Sequence, residues 1–115
     1  MSQIILIAVS IFSSLVFVPS DLIACWDTGE DNTIIEISEM DGKPFGRIKS
    51  SDNPKAKIGK IILKEIKKKG ENWQGKIYAA KRQEWYDAEI RKKEDVLEIE
   101  IIVGFFSKTV VWKRT

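Results

Sequence analysis

Short segments in which apolar and polar residues alternate, separated by turn residues, fill the chain from residue 33 onward. In residues 33–39, Ile35 and Ile37 fall on one side of an extended chain, and the Asp41-Gly42 that follows is typical of a tight hairpin turn. Successive side chains of a strand point to opposite faces of a sheet, so a period of two indicates strands with one buried face. The sequence therefore predicts an all-β fold.

Seven or eight short strands are expected, because the alternation returns at spacings of about 12 residues. Residues 58–66 also fit a short helix, but Gly59 and the many isoleucines favour a strand. Residues 50–57, interrupted by Pro54, form the longest predicted loop. Because closure removes the exposed edges of such short strands, a small antiparallel up-and-down β-barrel is favoured over a sandwich.

The phase of the alternation predicts which side chains form the core of the barrel. Trp85 and Ile102 fall on the opposite, outer face and are expected to be exposed. Glycines within strands suit the bends of a tightly curved sheet, and we assign this role to Gly46, Gly75 and Gly104. The residues predicted to point inward are Ile35, Ile37, Trp73, Gly75, Ile77, Tyr86, Ala88, Ile90, Leu97, Ile99, Ile101, Val103, Val110, Trp112 and Arg114.

An uncharged apolar run at residues 4–18 precedes this domain. This length is typical of the core of a signal peptide, whereas a membrane-spanning helix needs about 20 apolar residues. We therefore expect residues 1–24 to be a signal peptide and residues 25–115 to form one exported barrel domain, in the periplasm or cell envelope. Because residues 1–3 contain no Lys or Arg, a retained N-terminal membrane anchor is the alternative.

The end of this leader has two interpretations. Val18-Pro19-Ser20 offers a signal-peptidase site that would release a soluble protein starting near Asp21. Leu22-Ile23-Ala24-Cys25 instead resembles a bacterial lipobox, which would acylate Cys25 and attach the domain to a membrane. An unpaired cysteine in an oxidising compartment is explained by acylation, by intermolecular pairing or by burial.

The composition excludes much of the common enzyme chemistry. The chain has no His and a single Cys, so Ser-His and Cys-His nucleophiles, His-ligated zinc and internal disulfides are all ruled out. We assign no catalytic residue, metal ligand or cofactor, and expect a non-enzymatic protein. The 19 basic and 17 acidic residues nearly balance, which together with export argues against nucleic-acid binding. The basic run at residues 64–69 offers a contact for anionic lipid or nucleic acid, but we interpret it as a solvent-exposed strand end.

From Trp26 to the C-terminus the chain resembles the uncharacterised bacterial family called "domain of unknown function 2147", whose members are small secreted proteins. The resemblance implies an envelope location and a β-rich fold, and it implies no mechanism. The motifs that carry it are Trp26, Ile35-Glu36-Ile37, Asp41-Gly42-Lys43, Gly46-Arg47-Ile48, Gly59-Lys60-Ile61-Ile62-Leu63, Trp73-Gln74-Gly75-Lys76-Ile77-Tyr78, Tyr86-Asp87-Ala88-Glu89-Ile90 and Trp112-Lys113-Arg114.

The barrel also resembles those of the lipocalins, in which a Trp on the first strand is covered by an Arg from the last. Trp26 and Arg114 are the matching pair, and we expect them to close one barrel end by cation–π stacking. Two functions remain open. One is the binding of a small apolar or amphipathic ligand inside the barrel; the other is a structural or interaction role for a barrel with a filled core. The residues expected to line a ligand are Trp73, Tyr86, Phe105, Phe106 and Trp112.

Overall fold

A computed structural model describes residues 20–115, which form eight strands. The apolar run at residues 4–18, and with it the signal-peptide and anchor predictions, lies outside the described residues. The strands are β1 (Ala24–Asp27), β2 (Ile34–Met40), β3 (Lys43–Ser50), β4 (Ile61–Lys69), β5 (Asn72–Ala79), β6 (Glu84–Lys93), β7 (Val96–Val103) and β8 (Phe106–Arg114).

Each strand pairs antiparallel with the next along the chain, and β1 pairs with β8 to close the barrel. This confirms the predicted up-and-down barrel, which is also the architecture of the lipocalins. The segment at residues 58–66 contributes to β4 and is a strand, not a helix. The longest connection is the one between β3 and β4, as the polar residues around Pro54 indicate.

The up-and-down order places the connections alternately at the two barrel ends. The segment before β1 and the short turns that follow β2, β4 and β6 lie at one end, which we call the closed end. The connections that follow β1, β3, β5 and β7 lie at the other, which we call the loop end. The chain therefore enters and leaves the barrel at the closed end.

The barrel interior is packed with apolar side chains, mostly in the predicted phase. Leu22 belongs to the same buried cluster, although it falls within residues 1–24, which were predicted to be a signal peptide. Its carbonyl oxygen accepts a hydrogen bond from the indole Nε1 of Trp26, at 3.0 Å. The buried cluster consists of Leu22, Trp26, Ile35, Ile37, Leu63, Ile66, Trp73, Ile77, Ala88, Ile90, Leu97, Ile99 and Trp112.

Two glycines sit where neighbouring strands approach closely. A Cβ added to Gly46 would lie 2.9 Å from the Cβ of Leu63, and one added to Gly75 would lie 2.9 Å from the carbonyl oxygen of Lys64. Both positions therefore exclude a side chain, consistent with the predicted role in curvature. The prediction for Gly104 was wrong, because it lies in the turn between β7 and β8 with a φ of 60°.

Candidate functional site

The five residues predicted to line an internal ligand site do not converge on one cavity. Trp73 and Trp112 are buried in the core. Tyr86 is half-buried, and its hydroxyl donates a hydrogen bond of 2.8 Å to Glu84 Oε2. Phe105 and Phe106 are exposed where β7 turns into β8, at the loop end. The tryptophans thus fill the interior, while the phenylalanines face solvent.

The proposed closing pair, Trp26 and Arg114, lies directly opposite in the register of β1 and β8. Trp26 is completely buried, whereas Arg114 is exposed. Cation–π contacts are found between lysines and other aromatic rings, on β5 and β6. The register fits the predicted pair, and stacking of the guanidinium on Trp26 stays a prediction.

Cys25 is half-buried on β1, where it is paired in register with Glu36. Its Sγ accepts a hydrogen bond from Lys49 Nζ at 3.5 Å, and its carbonyl accepts one from the backbone N–H of Thr115 at 3.1 Å. The residue is thus built into the barrel wall where the first and last strands meet. Its acylation stays a prediction.

The outer surfaces of β3, β4 and β5, which we call the cationic face, carry a concentration of positive charge. A β-bulge in β4, where Glu65 has a φ of 53°, points two consecutive side chains outward and so keeps the later lysines in an outward phase. Every charge that points outward from these three strands is positive except that of Glu65. The cationic side chains are Lys43, Arg47, Lys49, Lys64, Lys67, Lys69 and Lys76.

Two aromatic rings lie on or beside this face. Tyr78 and Trp85 contact each other edge to face, with ring centroids 5.4 Å apart. Lys60 Nζ lies 3.9 Å from the centroid of Tyr78, and Lys64 Nζ lies 4.0 Å from that of Trp85. Trp85 points outward as predicted but is half-buried because of these neighbours. Ile102, also predicted to be outward, is 44% exposed.

Like charges meet at the centre of the cationic face, because Lys64 and Lys76 are direct partners in the register of β4 and β5. Like charges directly opposite each other destabilise a sheet. Lys76 Nζ lies 2.9 Å from Asp87 Oδ1, and this hydrogen bond, together with the charge of the carboxylate, raises the pKa of Lys76 above its usual value. Lys76 therefore stays charged at neutral pH.

Acidic residues dominate the outer surfaces of β6 and β7, where three glutamates surround Arg91. The guanidinium lies 3.1 Å from Glu100, 3.4 Å from Glu98 and 3.9 Å from Glu89. The hydrogen bond with Glu100 is the main cause of the raised pKa of Arg91. Positive and negative charges thus occupy different sides of the barrel.

Two clefts open on the outer surface and are lined in part by cationic-face residues. One, of about 410 Å³, lies between β3 and β4. The other, of about 340 Å³, runs across β4, β5 and β6 to β7 and includes Lys67, Lys76 and Ile102. Sequence reasoning missed this surface because it treated the basic run at residues 64–69 alone. The signal available in the sequence was that the basic residues of β3 share the outward phase.

The described residues offer no metal site, since no three carboxylates or thiols of residues 20–115 come together to hold an ion. Within the same residues, no helix is long and apolar enough to cross a membrane.

Residues 25–114 match a family model described as "Uncharacterized protein conserved in bacteria (DUF2147)". The match covers the barrel from β1 to the end of β8. No curated protein and no solved structure matches the chain.

Proposed function

The chain belongs to this uncharacterized bacterial family, and we propose that it is an exported, non-enzymatic envelope protein that acts through the cationic face by binding anionic membrane surfaces. The asymmetric distribution of charge over the barrel carries the proposal. It supports a surface function more than an internal ligand, because the tryptophans that were expected to line a ligand fill the core instead.

The charge distribution favours an anionic partner. Solubility does not require seven cationic side chains on three neighbouring strands of a nearly neutral chain. The pairing of Lys64 with Lys76 also lowers the stability of the sheet. Each Lys or Arg close to an anionic membrane surface contributes about 1 kcal/mol of binding free energy. Even a part of the face in contact with such a surface would therefore give measurable binding.

The aromatic residues favour a membrane over a polyanion in solution. Tyr78 and Trp85 present an apolar ring with a polar group on the outer wall of the barrel, beside Lys60 and Lys64. Tyrosine and tryptophan are enriched where protein meets the membrane–water interface, and lysine stems extend along apolar surface while the ammonium stays in water. Export, which the apolar leader supports, would bring this face beside an anionic leaflet.

Binding to lipid vesicles tests the proposal. Because an apolar leader would partition into any bilayer, the quantity to measure is the difference in affinity between vesicles that contain phosphatidylglycerol and vesicles of pure phosphatidylcholine. We expect the full chain to prefer the anionic vesicles, and expect salt to remove the preference, because the Debye length falls from about 10 Å at 0.1 M to about 3 Å at 1 M. Equal affinity for both vesicles at low salt would contradict the proposal, as would binding of a soluble polyanion without preference for anionic vesicles.

A further inference from the structure

The ladder between β3 and β4 is short and irregular. Only Gly46–Leu63 and Arg47–Ile61 are paired there, with a shift in register between them. The β5–β6 ladder, by contrast, is continuous from Trp73–Ile90 to Ala79–Glu84. Toward the closed end, β3 and β4 therefore continue side by side without ladder pairing.

Local sequence explains why the ladder stops at this point. Pro44 has no backbone N–H to donate, and the β4 bulge at Glu65 turns the strand out of register. The strands already approach closely at the last paired position, since a Cβ on Gly46 would lie 2.9 Å from the Cβ of Leu63. The cleft between β3 and β4 follows from these features.

The lining of this cleft combines an apolar floor with a cationic rim. Pro44 and Ile66 are buried and Phe45 is half-buried, while Lys43 and Lys67 are exposed at the rim. Its volume of about 410 Å³ falls within the range of about 300 to 1,000 Å³ that is typical of small-molecule sites. The remaining lining residues are Lys64 and Glu65.

We propose that the β3–β4 cleft binds an amphiphile, with its alkyl chain against Pro44, Phe45 and Ile66 and its anionic head group at Lys43, Lys64 and Lys67. The proposal extends the proposed function, since the head group is the one that the cationic face attracts. Pro44 and the bulge make both strand edges poor templates for an added peptide strand, which favours an alkyl chain over an acidic peptide. A free fatty acid and an anionic phospholipid share this chemistry.

Residue-specific NMR with the full chain and dodecyl phosphate below its micelle concentration tests the site. We expect saturable shifts at residues 43–45 and 64–67, while inorganic phosphate alone and uncharged dodecyl maltoside bind at least about fivefold more weakly, the equivalent of losing one exposed ion pair. Shifts confined to the leader or the loop end, or no saturation at residues 43–45 and 64–67, would overturn the proposal. Saturable shifts in the cleft with an acidic peptide but not with dodecyl phosphate would overturn it as well.

Variants separate the floor of the cleft from its rim. Phe45→Ala should weaken dodecyl phosphate binding roughly tenfold because it removes apolar contact area, whereas Phe45→Leu should keep most of the affinity. Lys43→Gln with Lys67→Gln should remove the preference for dodecyl phosphate over dodecyl maltoside. A full spectrum of dispersed amide resonances verifies the fold of each variant. Unchanged affinity of folded Phe45→Ala for dodecyl phosphate would show that the alkyl chain binds elsewhere.

Two further measurements separate this proposal from the function on which it rests and identify the source of the amphiphile. Lys49 and Lys69 lie on the cationic face outside the cleft lining, so reversing their charges should reduce the preference for anionic vesicles and leave the dodecyl phosphate shifts in place. Failure of dodecyl phosphate binding with an intact vesicle preference overturns the cleft alone. A phospholipid spin-labelled on its acyl chain should broaden Ile66 if bilayer lipid enters the cleft; binding of dodecyl phosphate without this broadening points to free amphiphiles.

Discussion

The indole N–H of Trp26 donates a hydrogen bond of 3.0 Å to the carbonyl oxygen of Leu22, and both residues are completely buried. The segment before β1 thus belongs to the folded barrel at its closed end. A donor that loses its partner in a buried setting costs about 1–3 kcal/mol. Removing residues up to Ala24 would delete both this acceptor and the Leu22 side chain.

Leu22→Ala should therefore reduce the free energy of unfolding by about 2–5 kcal/mol, the usual cost of truncating a buried leucine. The matched control is Ile58→Ala, because Ile58 is 62% exposed in the β3–β4 connection; this control should change stability by less than about 0.5 kcal/mol. Urea denaturation of the full chain measures both. Equal effects of the two substitutions would show that Leu22 lies outside the folded unit.

The same contact leads us to expect processing upstream of Leu22. Cleavage near Ser20 preserves the hydrogen bond from Trp26 to Leu22, while cleavage before Cys25 would remove Leu22 and with it this hydrogen bond. Intact mass of the protein recovered from the envelope should match a chain that begins near Asp21 and carries no acyl group. A mass corresponding to diacylated Cys25 as the first residue would contradict this expectation.

Arg114→Ala tests whether the last strand covers the first tryptophan. The register places Arg114 opposite Trp26, and a cation–π contact at an exposed site contributes about 0.5–1 kcal/mol. The melting temperature should therefore fall, whereas Lys113→Ala, one residue earlier on the opposite face of β8, should leave it nearly unchanged. An unchanged melting temperature for Arg114→Ala would show that Arg114 does not stabilise the barrel by covering Trp26.

Ser107→Ala should raise the pKa of Glu100 toward its ordinary value of 4.5, since the hydrogen bond from Ser107 Oγ is the main cause of its lowering. The pKa of Glu98, lowered chiefly by Lys93, provides the control and should not move. A carboxyl with a lowered pKa stabilises the fold above its ordinary pKa, and that stabilisation is lost as the pH falls through the lowered value. Carbon-detected NMR titration measures the pKa of both groups. An equal change in the two pKa values on Ser107→Ala would contradict the role given to the Ser107 hydrogen bond.

Much of the fold follows from local pattern, because the period of two is a geometric property of strands. The predicted inward phase is confirmed by the burial of Trp73, Ile77, Ile90, Leu97 and Ile99. The sequence pattern could not separate Leu22 from the leader, since an apolar residue fits both a leader and a folded core. The bulge at Glu65 was also missed, because a bulge needs a partner strand to be recognised.

The candidate site was harder to predict than the fold. Aromatic residues were grouped as a ligand site by type, yet Trp112 packs in the core and Phe105 projects from a turn at the loop end. The cationic face arises from residues on three strands that are far apart in sequence, such as Lys49 and Lys76. Only the order of strands around the barrel brings their charges together.

Reversal of charge on the cationic face tests whether this face binds anionic membrane surfaces. Lys49→Glu with Lys69→Glu should abolish most of the preference for phosphatidylglycerol vesicles over phosphatidylcholine vesicles. The control, Lys108→Glu with Lys113→Glu, makes the same change in net charge on the exposed lysines of β8 and should retain the preference. Equal loss in the two double variants would show that net charge alone governs binding and would contradict a dedicated face, as would a preference that survives in both.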